Sequence, residues 1–206
     1  MCCLPCNVHG CPVISEPANP ILLGYSPVRF PGTPPAKGIC TFEIEVMNAT
    51  RNTLPAAVRK TAVQVLNGTV ANLFDLYART KQAHWNVRGQ SFFALHKLLD
   101  EFAAAIEEHV DAAAERATAL GGIVEGTLRD AVRHSRLKKK EEPSSKSGQR
   151  DWIRELADVP AACGQQVRAA IKKLTDAEDF GTADLLTDVL RSLDKQLWIL
   201  EAHLNK

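Results

Sequence analysis

Nowhere in the 206 residues does an apolar run approach the length a bilayer span needs, so no membrane partner is expected. The first residues lack a charged region followed by an apolar one, so no secretory signal is read and a cytoplasmic location is expected. Excess charge of either sign is missing too. The formal net charge is +1 at pH 7, which excludes a globally basic nucleic-acid binder, and any such contact needs a local patch. Cysteine is absent from Met47 onward except at Cys163, most simply a small buried hydrophobe. Proline and glycine are absent from Ser91 to Leu120, where Ala, Leu, Glu and Phe dominate; a single helix of about eight turns is expected there.

What the rest of the chain lacks is concentrated in residues 1–46, which hold eight of the eleven prolines and five of the six cysteines without helical periodicity. Such a segment buries too little apolar surface to offset its ordering entropy, so a disordered extension is expected. Cys3-x2-Cys6, with Cys2, His9 and Cys11 nearby, has zinc-like spacing. A second ligand pair at matching spacing is missing, which favours a disordered or cross-linking tail. Met1 and Met47 are both candidate native starts, and 47–206 is the expected folded domain.

Within that domain the patterning predicts four long helices. The first runs from Leu54 to about Val87, with Leu54, Val58, Ala62, Val65, Thr69, Leu73, Leu76 and Thr80 as its buried face and Gly68 as a weak point. Arg88-Gly89-Gln90 turns the chain into the second helix, which Leu120-Gly121-Gly122 ends. A long connector follows, with a short helix from Gly126 or Thr127 to about His134. The third helix covers Asp151 to Thr175, broken or kinked where Pro160 interrupts it, with Asp158 as the alternative cap. The fourth starts at Asp179 or Thr182 and runs to about Leu204, with Leu185, Leu186, Val189, Leu190, Leu193, Leu197 and Leu200 as its stripe. A short first connection and a long second one give an all-α, ferritin-like four-helix bundle with a crossover.

The chemistry concentrates on the second helix. His96 and Asp100 are four apart, as are Asp111 and Glu115, and the eleven-residue step between the pairs is close to three whole turns, so all four share one stripe. Asp100 and Asp111 are nevertheless roughly 16 Å apart along the axis, too far to share one metal ion. Both pairs are centred between Ala105 and Ile106. A twofold axis there, with an antiparallel second copy, sets each His/Asp pair beside the partner's Asp/Glu pair and makes two sites at once. The run Ala103-Ala104-Ala105 lets the backbones approach. His84, at the end of the first helix, reaches the same site if the two helices are antiparallel neighbours. Mixed imidazole and carboxylate ligands suit iron. Each pair alone is more often a solvated ion pair; their joint occurrence on one stripe favours the site.

Lys81-Gln82-Ala83-His84-Trp85-Asn86-Val87-Arg88-Gly89, His96-x3-Asp100, Asp111-x3-Glu115-Arg116, Leu120-Gly121-Gly122 and Leu193-Asp194-Lys195-Gln196-Leu197-Trp198 together resemble the Dps family, the mini-ferritins named as DNA-binding proteins from starved cells. The resemblance runs from about Leu54 to the C-terminus. It implies a ferroxidase that oxidises Fe(II), preferably with hydrogen peroxide, at His84, His96 and Asp100 of one chain and Asp111 and Glu115 of its twofold mate. It also implies storage of Fe(III) in a hollow shell of twelve subunits, which denies the cell the reagents for hydroxyl-radical formation. Trp85 is then an electron donor or interface packing. Lys81 positions a water or is simply solvated. Two departures stand out: Lys and Ser replace the family's Pro- and Tyr-containing connector, and Pro160 interrupts a normally continuous helix.

The resemblance further implies that Asp179, Asp184 and Asp188 line a threefold pore for iron entry. The alternative is that they are helix-start acids favoured by the dipole, which suits Asp179 and Asp184 more than Asp188. DNA is the other possible partner, and would place the protein on the nucleoid. The family often uses a Lys/Arg-rich arm for this, but residues 1–46 carry only Arg29 and Lys37, leaving Lys138-Lys139-Lys140 as the candidate patch.

Overall fold

The structure is a computed structural model that describes residues 47–138 and 147–204. The zinc and disorder expectations for residues 1–46, and Lys139 and Lys140 of the candidate patch, lie outside the described residues. Five helices follow in order: α1 (Ala56–Asn86), α2 (Phe92–Ala119), α3 (Leu128–His134), α4 (Gln149–Asp176) and α5 (Phe180–Leu204). Among the described residues there is no strand, and no helix is long and apolar enough to cross a membrane.

The helix directions follow from where their ends meet. Gln149, at the start of α4, accepts the Ser91 backbone N–H through Oε1 at 3.2 Å, so α4 and α2 begin at the same end. Arg116, near the end of α2, reaches Asp179 and Thr182 at the start of α5, so those two helices run opposite ways. The Arg150 guanidinium meets the Leu204 carbonyl, closing α4 against the end of α5. With α1 packed on both α2 and α4, and α5 on α4 and α2, this is a four-helix bundle whose crossover joins the two parallel helices.

The core runs the length of the bundle. Leu66, Leu73 and Leu76 of α1, Leu95, Leu99 and Ile106 of α2, Ile153 and Leu174 of α4, and Leu186, Leu193 and Leu200 of α5 are fully enclosed. Each such side chain contributes about 1.5–3 kcal/mol on leaving water. The buried face of α1 is wider than the spacing predicts. Ala62, Thr69, Leu73, Leu76 and Thr80 are buried, whereas Leu54, Val58 and Val65 are only partly so, and Val63, Leu66 and Val70 join the core. The reason is that α1 packs on three partners, α2, α3 and α4.

That third partner explains how the unusual connector docks. A row of polar side chains on α1 holds it down. Asn67 donates through Nδ2 to the Ile123 carbonyl at 2.9 Å and accepts the Glu125 N–H at 3.2 Å, imitating a backbone pair. Asn72 accepts the Arg136 N–H at 2.9 Å, Asp75 accepts the Ser135 hydroxyl at 2.7 Å, and Arg79 donates to the Lys138 carbonyl at 3.1 Å. Thr127 and Asp130 cap α3 reciprocally, each accepting the other's N–H at 3.2 Å.

Pro160 does not break α4, contrary to expectation: the helix is continuous from Gln149 to Asp176, and Asp158 lies within it rather than capping it. Only the Pro160 N–H is missing from the ladder, and the buried ring packs into the bundle alongside Val159 and Cys163. At the other end of the bundle Gly121 (φ +88°) and Gly122 allow a close approach. A Cβ on Gly121 would sit 2.6 Å from the Asn48 carbonyl oxygen, and one on Gly122 would sit 2.4 Å from Val63.

Candidate metal centre

His84 is in the last turn of α1 and His96 in the first turns of α2, brought together by the Val87–Ser91 turn. Their rings stack with centroids 3.8 Å apart and planes 20° from parallel. Each ring is tied to the other residue's backbone: His84 Nδ1 lies 2.8 Å from the His96 carbonyl oxygen, and His96 Nδ1 lies 3.0 Å from the His84 carbonyl oxygen. A carbonyl only accepts, so both Nδ1 atoms carry the proton. In the neutral rings both Nε2 atoms therefore keep a lone pair, the tautomer a metal requires. Phe92, one turn before His96, leans on its ring at 5.1 Å.

Asp100 adds a carboxylate one turn further along α2. Its Oδ1 accepts from Lys81 Nζ at 2.7 Å. The Lys81 hydrogen bond and charge hold the Asp100 carboxyl below its ordinary range, with smaller help from His84 and His96. Lys81 is thus the counter-ion of a candidate site carboxylate. The signal was the antiparallel register. Pairing His84 with His96 sets Lys81, one turn earlier, opposite the turn of α2 that carries Asp100.

Asp111 and Glu115 are on α2 far from this group, and both side chains are exposed. Among the described residues, no three of His, Cys, Asp and Glu gather in a single chain to hold a metal ion. The one chain therefore brings together His84 and His96, with Asp100 one turn along α2 and held by Lys81, and leaves Asp111 and Glu115 apart from them. Phe93, Lys97, Asp100, Ala104, Glu108, Asp111 and Glu115 form one exposed stripe along α2 at helical spacing. Ala103 faces the chain's own core, so the small residues open to a neighbour are Ala104 and, in part, Ala105. Trp85 stands 68% exposed beside the histidines.

The three candidate pore acids part ways. Asp179 is 1% exposed; its carboxylate accepts from Arg116 Nη2 at 2.9 Å, the Thr182 N–H at 3.1 Å and the Thr182 hydroxyl at 2.5 Å. It caps α5 and ties it to α2, and in this chain it does not face solvent. Asp184 and Asp188 are exposed on α5, with Asp188 paired to Arg191 at 3.1 Å.

The crossover four-helix bundle is that of a ferritin-like protein, and the model of the ferritin-like domain matches residues 63–206. The chain is 38% identical over 157 residues to the DNA protection during starvation protein of Agrobacterium fabrum, a match covering 76% of this chain and 96% of that one. It superposes on DpsC from Streptomyces coelicolor with a TM-score of 0.74 at 27% identity, covering 80% of this chain and 95% of that structure. Dps from Microbacterium arborescens, solved in a high iron form, gives 0.68 at 30% identity over 78% and 100% of the two chains. The chain belongs to the Dps family.

Proposed function

We propose that this protein oxidises Fe(II) and stores the Fe(III) product, at sites that two copies share. The observation that carries the reading is the reciprocal histidine arrangement. Two imidazoles with Nδ1 committed to carbonyls leave two Nε2 lone pairs, and Asp100 offers a carboxylate one turn along α2 from His96. Asp111 and Glu115 of a second copy complete the set across a twofold between Ala105 and Ile106, where the open stripe of α2 is self-complementary in position. His84, His96, Asp100, Asp111 and Glu115 are then the catalytic and metal-binding residues, with iron as substrate and cargo.

The preferred oxidant in this reading is hydrogen peroxide. Two Fe(II) ions each give one electron; peroxide takes both with two protons, its O–O bond breaks, and two waters leave. The carboxylates bind the product more strongly than the substrate, since Fe(III) carries the higher charge. A dodecameric shell in the cytoplasm would hold the mineral, and exposed Asp184 and Asp188 would draw iron through threefold pores. Asp179 no longer belongs to that set as a free anion, because Arg116 neutralises it.

The test is anaerobic Fe(II) loading followed by hydrogen peroxide, with Fe(III) read by absorbance. Fast oxidation that the Asp111→Asn, Glu115→Gln variant loses supports the reading. Equal slow rates in both would make the five residues structural.

A second reading, non-specific DNA binding, has its own support. The Agrobacterium fabrum relative is named for DNA protection, and the connector of this chain carries exposed cations at Arg129, Arg133, Arg136 and Lys138. Retardation of duplex DNA on a gel at low salt tests it.

A further inference from the structure

We propose that Arg129, Arg133, Arg136 and Lys138 form a pre-ordered ridge on the crossover that binds the phosphate backbone of duplex DNA. The proposal rests on the DNA-binding reading above and assigns it a site.

Three observations carry it. The first is the division of α3 into two sides. Leu128, Ala131 and Val132 line a groove of about 870 Å³ between α1, α3 and α4, whereas Arg129 and Arg133 lie outside that lining, one turn apart and exposed. Arg136 and Lys138 extend the basic row past the helix end. The second is the shortage of counter-charge. Among the described residues the carboxylate that meets this row is Asp130, 3.7 Å from Arg133 and already engaged by the Thr127 hydroxyl at 2.5 Å. Arg129, Arg136 and Lys138 have no carboxylate partner among those residues. With a whole-chain charge of only +1, a local cationic ridge is what gives a polyanion something to bind.

The third is rigidity. Four backbone positions of the connector are pinned to α1: the carbonyl of Ile123, the N–H groups of Glu125 and Arg136, and the carbonyl of Lys138. The Ser135 hydroxyl adds a fifth tie to Asp75. The Cα positions of the ridge are thus fixed before any ligand arrives, so binding does not have to order the backbone. Arg and Lys on a fixed ridge suit phosphate contact without sequence readout.

The experiment is fluorescence anisotropy of a labelled duplex of arbitrary sequence, titrated with full-length protein over a salt series. Four proteins are compared: the wild type, the Arg129→Gln, Arg133→Gln, Arg136→Gln, Lys138→Gln variant, the three Arg→Lys changes together, and a control with Lys172→Gln and Lys173→Gln, two exposed cations of α4. The ridge variant is expected to lose more than about tenfold in affinity at low salt. Its slope of log K against log salt should become shallower by about 0.9 for each phosphate that is no longer neutralised. The Arg→Lys protein and the control should stay near wild type. If wild type and ridge variant bind alike, the ridge is wrong and the DNA reading stands. If wild type binds no duplex at low salt, or binds anionic vesicles in its place, both fall.

Discussion

His84 and His96 hold each other. Each Nδ1 donates to the other residue's backbone carbonyl, at 2.8 and 3.0 Å, with the rings stacked 3.8 Å apart. Replacing either histidine removes a proposed metal ligand and the bond that orients the other ring. His84→Ala is therefore expected to abolish rapid Fe(II) oxidation as completely as the double change, and to cost about 1–2 kcal/mol of stability. Stopped-flow absorbance of the single and double variants checks this. Additive, partial losses would argue that the rings act independently.

The Lys81–Asp100 pair gives a sign to pH dependence near the site. Lys81 depresses the Asp100 carboxyl, so the pair's contribution is present above the ordinary carboxylate range and is lost as pH falls through the lowered value. In Lys81→Met the Asp100 titration should move up toward 3.8. Carboxyl chemical shifts of wild type and variant measure it, and an unmoved Asp100 would mean the pair is not formed in solution.

Cys163 reports on the integrity of the core. Burial pushes its thiol up to about 12 from an ordinary 9.0. A raised thiol favours the protonated folded form, so the contribution is whole below pH 9 and is lost as pH climbs toward 12. Peptide-resolved alkylation at about pH 8 should leave Cys163 unmodified in the folded protein and label it in denaturant. Rapid native labelling would mean that the α4–α5 packing opens.

Asp179 and the exposed acids of α5 should separate cleanly. Asp179→Asn removes the charge from a buried cap and ion pair and is expected to cost about 2–3 kcal/mol, read as a lower unfolding midpoint. Asp184→Asn with Asp188→Asn should leave stability near wild type and slow iron uptake. Uptake unchanged in the double variant would remove the pore assignment.

Much of this fold could be read from residue spacing because bundles are built from local patterns. Gly89 and Gly121-Gly122 mark where helices end, and the 3.6-residue period of α5 puts Leu186, Val189, Leu193 and Leu200 inside as expected. What could not be read is what depends on partners far along the chain. Asn67, Asn72 and Asp75 look like breaks in an apolar face until the crossover they hold is in view. Pro160 reads as a helix breaker because spacing cannot tell that tertiary packing on both flanks outweighs one missing hydrogen bond. At the candidate site, the exposed stripe of α2 that carries Asp100, Asp111 and Glu115 was legible. The tautomer-setting carbonyls and the lysine on Asp100 needed the antiparallel register of α1 and α2.

Gly68 tests the local rules themselves. It is mid-helix, and a Cβ there would meet nothing within 4 Å. Gly68→Ala should therefore raise stability by about 0.4–1 kcal/mol, a shift of a few degrees in the melting midpoint.

The central claim is that each site takes residues from two chains, and complementation tests it most directly. One chain carries His84→Ala and His96→Ala, the other Asp111→Asn and Glu115→Gln; each alone should be inactive. Co-refolded in equal amounts, they form mixed pairs in which one of the two sites regains all five ligands, so about a quarter of the wild-type rate of peroxide-driven Fe(II) oxidation should return. No recovery in mixtures shown to contain mixed pairs would contradict a shared site.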